Sequence, residues 1–263
     1  MTATEFENIE KLYHYTSIET AKNILKSGAL LFHRLGDMND PYEKSKHFAA
    51  SAAIIDDIAI MDAKFSEVLQ LYQQISFSVD SEQSKMGFDI GPMWGNYADK
   101  SKGACLVFDK RKLLQSLPSE CQHNAIKYEK DFSPWVIAPK DVQRVTDIEN
   151  FIDKNVNSLL FSKTLDWQYE QEYRIIIKSK NEEKLRIKDS LILIILNEQS
   201  HSIQEAQQIA ATFAAFDVET YLLGIFIDQV AVSKVNKSNT IYPNYDNLRI
   251  ASPDEWHSNS MTK

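Results

Sequence analysis

Hydrophobic and polar positions alternate along this chain in short runs, and the runs predict strands interrupted by helices. Lys11-Leu-Tyr-His-Tyr-Thr16 reads as a strand that leads into a helix. Thr16 and Glu19 have the spacing of a capping box, Ile18, Ala21, Ile24 and Leu25 form an apolar stripe, and Gly28 suits the helix stop. Residues 29–32 read as a second strand. Asp40-Pro41-Tyr42-Glu43 puts Asp at the cap, Pro at the first helical position and Glu at the third. That start predicts a helix running, with a break, from Pro41 to about Gln74. Strands follow over 75–79, 103–108, 125–129, 185–187 and 191–196, with a polar loop as far as Pro92 and a short helix or turn over 93–98. Residues 139–163 read as polar helices, a lid or connector. Ser202 and Glu205 form another capping box, opening a helix with Ile203, Ala206, Ile209, Ala210 and Phe213 inward. Residues 221–227 close the sheet, and a weak strand lies near Arg249. The expected fold is mixed α+β, a strand-rich core with inserted helices, in a single domain spanning 1–263.

One stretch breaks this pattern by carrying charge into an apolar strand: Asp166-Trp-Gln-Tyr-Glu-Gln-Glu-Tyr-Arg-Ile-Ile-Ile-Lys178. Positions two apart on a strand share a face. Glu170, Glu172 and Arg174 therefore line one side, and Tyr173, Ile175 and Ile177 the other. Ile176 continues the charged side and walls it off deeper in. A carboxylate placed this way stabilises a developing cation or serves as a general base. The alternative is a surface strand in which Arg174 pairs with Glu170 or Glu172.

Composition narrows the choice. With 263 residues, 43% hydrophobic and 25% charged, the chain has enough apolar residues for a sizeable core. A net charge of −8 and a pI near 5.3 do not suggest a generally basic nucleic-acid binder, and leave room only for a local groove. Cys105 and Cys121 have neither metal nor disulfide spacing, and Cys105 sits in an apolar run that reads as core. The N-terminal residues lack a secretory pattern, and no apolar segment approaches membrane-spanning length, so a soluble cytoplasmic protein is expected. No phosphate loop, dinucleotide fingerprint, zinc spacing or nucleophile elbow occurs, which disfavours the common nucleotide folds and a metal centre.

Two further groups carry candidate chemistry. His14, in Tyr13-His14-Tyr15-Thr16, stands where a strand meets a helix and has a nitrogen to offer a ligand hydroxyl; the plainer reading is a packed histidine near a cap. Trp94 and Tyr97, in Met93-Trp-Gly-Asn-Tyr-Ala98, offer flat faces for a ring; the plainer reading is two core aromatics on one short helix. Asn39-Asp-Pro-Tyr-Glu43 is explained by helix capping alone.

In this order, His, aromatic, Glu, these segments resemble the ADP-ribosyltransferase superfamily, in its His-Tyr-Glu branch. Tyr13-His14-Tyr15-Thr16 is similar to that branch's Tyr-His-Gly-Thr strand, Tyr97-Ala-Asp-Lys-Ser-Lys102 to its Tyr-Phe-Ala-Asp…Ser-Lys-Ser segment, and Glu172-Tyr-Arg-Ile-Ile to its Asn-Glu-Tyr-Ile-Val strand. Residues 12–178 also resemble an uncharacterised bacterial family with the motifs Tyr-His-Tyr-Thr, Asn-Asp-Pro-x-Glu, Ser-Phe-Ser, Met-Trp-x-x-Tyr-Ala and Trp-x-x-Glu-x-Glu-Tyr-Arg.

The resemblance implies a split β-sheet core and NAD as co-substrate. His14 would hold the nicotinamide-side ribose, the Tyr15 backbone the carboxamide, with Thr16 completing the motif, and Tyr97 would stack on the nicotinamide. Trp94 and Tyr42 are candidates for a second stacking ring. Glu172 would bond the ribose 2′-hydroxyl and stabilise the oxocarbenium-like transition state. Glu170 would orient or deprotonate the acceptor. Tyr15 departs from the branch, which has Gly there to let NAD approach the backbone. Relatives imply a bacterial toxin or anti-phage effector modifying an RNA or DNA base, held in check by a neutralising protein. Lys100, Lys102, Lys163, Trp167 and Arg174 are candidates for a nucleic-acid groove. The alternatives are a protein acceptor, an NAD glycohydrolase, and a non-catalytic nucleotide- or partner-binding module.

Overall fold

Alternating side chains take Lys11–Thr16 into strand β1, and Ser17 then caps helix α1 (Ile18–Ser27) by accepting from Thr20 N at 3.1 Å. The cap falls one residue beyond the expected Thr16, because Thr16 is still held in the strand ladder. Gly28 ends α1 with φ 63°, the left-handed region where a residue without Cβ costs least. This computed structural model describes residue 6 and residues 8–44, 46–50, 55–81, 86–130, 133–187, 189–225, 230–235, 240–244 and 247–251. Expectations that fall on residues 1–5, 7, 45, 51–54, 82–85, 226–227 and 252–263 lie outside the described residues.

Strands β2 (Ala29–Leu31) and β3 (His33–Arg34) follow. The long helix expected from Pro41 is instead broken up. Helix α2 covers only Pro41–Lys44, strand β4 takes His47–Ala50, and helix α3 takes Ile58–Leu69 under an Asp57 cap. Next come β5 (Tyr72–Ser78), α4 (Gly91–Tyr97), β6 (Ala104–Asp109), α5 (Lys110–Gln115), β7 (Gln122–Ala125), β8 (Lys127–Glu129) and β9 (Trp135–Ala138). Helices α6 (Ile148–Lys154) and α7 (Val156–Leu160) precede β10 (Ser162–Thr164), β11 (Glu172–Lys178), β12 (Lys184–Arg186) and β13 (Leu191–Asn197). Helix α8 (Ile203–Ala214) has the expected box: Ser202 Oγ accepts from Glu205 N at 3.2 Å, and Glu205 Oε2 from Ser202 N at 2.8 Å. Its inward face begins at Ala206, since Ile203 in the first turn is exposed. Strands β14 (Glu219–Ile225), β15 (Val230–Lys234), β16 (Thr240–Asn244) and β17 (Asn247–Ala251) complete the order. Among the described residues no helix is long and apolar enough to cross a membrane.

The chain divides into two compact units. One comprises residues 1–30, 77–117 and 186–263. Its strands run in the order β17, β16, β15, β14, β13, β6, β1, antiparallel except for the parallel pair β13 and β14. Strand β6 pairs with all six residues of β1, placing Leu106 opposite His14 and Cys105 opposite Tyr15. Cys105 is fully buried, as its apolar surroundings predict. After α4 the chain makes a left-handed turn through Asp99, Lys100 and Ser101, with φ of 46°, 54° and 72°. Side chains with a Cβ adopt this conformation only at some cost in strain. Hydrogen bonds from Ser101 N to Trp94 O and from Gly103 N to Ala98 O hold the turn closed.

The other unit comprises residues 31–76 and 118–185. Its core joins Phe48 of β4 and Met61, Phe65 and Val68 of α3 to Ile148, Phe151 and Ile152 of α6 and Leu159 and Leu160 of α7. The segment 139–163 is therefore core rather than a polar lid or connector. Its apolar residues recur at helical spacing, and each one buried contributes about 1.5–3 kcal/mol. Strand β11 pairs antiparallel with β7, while β4 with β9 and β8 with β10 form small parallel ladders. Both units mix helices with strands, so the α+β class expected from the sequence holds.

Candidate functional site

Strand β11 begins at Glu172, two residues later than a continuous strand through Glu170 requires. Residues Leu165–Glu170 form a 3-10 turn instead, ended by Gln171 in the left-handed region at φ 47°. Glu170 thus reaches the same surroundings from a turn, not from the strand face. From Glu172 onward the expected alternation holds. Glu172, Arg174 and Ile176 share a face, and Ile176 enters the core of its unit. On the opposite face Tyr173 Oη lies 2.6 Å from His123 Nδ1 of β7.

Arg174 is completely buried and holds Glu172 with two donors, Nε to Oε1 at 2.8 Å and Nη2 to Oε2 at 3.0 Å. Its Nη1 donates to Leu160 O at 2.6 Å and also lies 2.6 Å from Glu43 Oε1. The contact with Glu43 is a close ion pair. Lys163 of β10 is the second cation. Its Nζ sits 2.9 Å from Glu172 Oε2, 2.7 Å from Glu170 Oε2, 3.6 Å from Glu43 Oε2 and 5.3 Å from the Trp167 ring centre. Glu172 N donates to Tyr128 Oη at 2.8 Å. Glu43, Glu170 and Glu172 are each only 3% exposed, so these charges meet in a dry setting where pairing is strong.

The protonation states follow from this packing. Burial opposes charge on Glu172, but Arg174 and Lys163 outweigh it and hold the carboxyl well below its usual range. Burial likewise opposes charge on Arg174 and Lys163, and Glu172 and Glu43 more than restore it. Lys46, also buried, is pushed down to about 8 by burial, with Glu43 and Asp40 working against that shift. Burial pushes Asp40 up; its Oδ1 accepts from Tyr42 N at 2.8 Å, and its buried Oδ2 has no hydrogen-bond partner.

A carboxylate held so far below neutrality takes up no proton near pH 7. Glu172 therefore stands as a fixed negative charge at neutral pH. Of roughly four lone-pair positions on a carboxylate, Arg174 and Lys163 occupy three, leaving one on Oε1.

The sequence reading gave Glu43 to helix capping and Lys163 to a nucleic-acid groove; the structure gathers both around Glu172 and Arg174. Asp40-Pro-Tyr-Glu43 does cap a helix, but the helix is one turn long and turns Glu43 inward. Lys163 lies in Ser-Lys-Thr next to the buried Phe161, and that apolar neighbour was the available signal. Lys163 and Arg174 are both buried, so neither is free to line a nucleic-acid groove.

Apart from Tyr42, the remaining NAD-site candidates lie in the other unit. His14 is half-buried on β1 with its ring 5.7 Å from that of Phe77. Tyr15 Oη donates to Gly87 O at 2.7 Å, and its ring meets Trp94 edge-on at 5.2 Å. Trp94 is buried and donates from Nε1 to Phe88 O at 2.8 Å, so its ring is committed to packing. Thr16 is buried at the end of β1. Tyr97 is half-buried at the end of α4, while Tyr42 is exposed on α2.

The profile of a family described as a protein of unknown function (DUF2971) matches residues 93–175. That span holds Trp94, Tyr97, Lys163, Glu170, Glu172 and Arg174, and it excludes His14 and Glu43. No curated protein matches the chain. Among solved structures, Thermus sp. 2.9 DarT in complex with NAD+ is similar at 13% identity and a TM-score of 0.36, covering 80% of this chain and 91% of that one. The same protein in complex with ADP-ribosylated ssDNA is similar at 11% identity and a TM-score of 0.35, covering 79% of this chain and 88% of that one.

Proposed function

We propose that this chain is an NAD-consuming mono-ADP-ribosyltransferase. The observation that carries the reading is the state of Glu172, a carboxylate kept ionised by Arg174 and Lys163 in a motif that resembles the catalytic strand of that superfamily. Breaking the bond between ribose and nicotinamide builds positive charge on the sugar. A fixed anion beside it is worth more in the transition state than in the ground state. The open position on Glu172 Oε1 suits one donor, such as a ribose hydroxyl. In this reading His14, Tyr15 and Thr16 bind NAD, Tyr97 stacks on the nicotinamide, and Glu170 serves the acceptor side from its turn. Trp94 supports Tyr15 from below rather than stacking on ligand. The split-sheet architecture of the superfamily belongs to the same proposal. The two likenesses to solved structures have TM-scores too low to add weight to it.

The acceptor we propose is a nucleic-acid base, with a role as a toxin or anti-phage effector that a neutralising protein would restrain. The test is incubation of the purified chain with NAD and, separately, single-stranded DNA, RNA and protein, followed by mass spectrometry. An added ADP-ribose on nucleic acid is the expected product. The same mass on protein alone moves the acceptor to protein. Free ADP-ribose without any adduct makes the chain an NAD glycohydrolase.

A second reading is a non-catalytic binding module. It is favoured by one observation: Glu172 is 3% exposed with both oxygens engaged. Intact NAD after prolonged incubation would select it.

A further inference from the structure

We infer that Glu43 is a positioning residue for the Glu172 carboxylate: set between Arg174 and Lys163, it leaves the directly paired charges with one negative charge in excess and so keeps Glu172 an effective anion. This rests on the reading of Glu172 as the carboxylate that faces the ribose.

The geometry supplies the reason. Two cations, Lys163 and Arg174, press on Glu172 at 2.9 and 2.8 Å respectively. Paired with Glu172 and Glu170 alone, they would form a neutral group. A neutral group projects little field, and Glu172 would then stabilise a cationic sugar poorly. Glu43 changes the balance. Its Oε1 lies 2.6 Å from Arg174 Nη1 and its Oε2 3.6 Å from Lys163 Nζ, so both cations divide their charge with it. Three carboxylates then face two cations. Asp40 and Lys46 add one formal charge of each sign and leave the excess unchanged.

The local sequence fixes Glu43 in that position. Pro41 starts α2, and Asp40 Oδ1 ties down Tyr42 N, so the third helical residue points inward. Glu43 Oε1 is buried against the Arg174 guanidinium, and that ion pair holds it.

The experiment compares wild type, Glu43→Gln and Glu43→Asp in two measurements. The first is NAD cleavage with kcat and KM resolved. Glu43→Gln keeps the shape and removes the charge, so kcat is expected to fall at least about ten-fold with KM within about two-fold, and Glu43→Asp to fall less. The second needs no activity: an NMR titration of the Lys46 side chain. Glu43 raises the Lys46 pKa against burial, while Asp40 also raises it and Arg174 and Lys163 lower it. Loss of the Glu43 charge is therefore expected to move the Lys46 midpoint down from about 8. An unchanged midpoint in folded Glu43→Gln, or an unchanged or higher kcat, overturns the inference. If Glu43→Gln does not fold, Glu43→Asp carries the comparison: a kcat lowered by less than about ten-fold with the Lys46 midpoint still near 8 supports the charge as the determinant, and a kcat lowered about ten-fold or more with an unmoved midpoint overturns it. If wild type leaves NAD intact, the transferase reading fails by itself, and the Lys46 midpoint still decides whether Glu43 brings its negative charge to the cluster.

Discussion

Arg174 grips Glu172 from two residues along the same strand, with Nε 2.8 Å from Oε1 and Nη2 3.0 Å from Oε2. Neither side chain has appreciable contact with solvent. A guanidinium matches a carboxylate in this forked manner and a lysine does not. Replacing Arg174 with Met leaves Glu172 and Glu43 buried without their main cation. We expect urea unfolding to show a loss of about 3–5 kcal/mol for Arg174→Met. Arg174→Lys is expected to lose less, because the charge remains. Glu172→Leu with Arg174→Met together is expected to recover part of the loss, because one of the two stranded carboxylates is gone. A double variant no more stable than Arg174→Met would contradict the pairing as the source of the effect.

The same cluster sets the response to pH. The folded-state pKa of Glu172 is depressed, so its contribution to stability is present above the ordinary glutamate value of about 4.5 and is lost as pH falls through the folded value. Lys163 is raised, so its contribution is complete below the ordinary lysine value of 10.5 and is lost as pH rises through the folded value. Urea midpoints of wild type should therefore fall steeply on the acid side, and those of Glu172→Gln less steeply. Parallel acid limbs would show that Glu172 is not paired as described.

Two glycines near Tyr97 should respond in opposite ways. A Cβ on Gly103 would run into Thr16 O and would lie 2.8 Å from the backbone of Ala98. On Gly95 of α4 it would meet nothing within 4 Å. Gly103→Ala is expected to destabilise by about 1–3 kcal/mol, since backbone has nowhere to move. Gly95→Ala is expected to stabilise by up to about 1 kcal/mol through helix propensity. Thermal melts of the two variants decide this, and a Gly103→Ala melting point at or above wild type would contradict the close approach of Gly103 to Thr16 and Ala98.

Much of this architecture was legible in the sequence, for identifiable reasons. Strand β1, strand β11 from Glu172 onward and helix α8 each have a clean period or a cap that local sequence carries. Three features were not legible. Glu170 seemed to share a strand face with Glu172, but Gln171 turned left-handed and ended that strand early. Glu43 satisfied a capping rule, which hid its contact with Arg174, a partner more than a hundred residues away in sequence. Lys163 is a groove candidate by sequence, yet the charges that pull it inward come from α2 and β11. In each case a tertiary partner decided the outcome, and periodicity carries no record of such partners.

The most direct test of the central claim is nicotinamide release from NAD by purified wild type, Glu172→Gln and His14→Ala, with circular dichroism confirming that all three are folded. Wild type is expected to release nicotinamide. Glu172→Gln is expected to be slower by about a hundred-fold or more, because the anion that answers the developing cation is gone. His14→Ala is expected to be slower too, with much of the loss in KM. Release at the same rate by all three folded proteins, or none from wild type, would contradict Glu172 as the carboxylate of an ADP-ribosyltransferase.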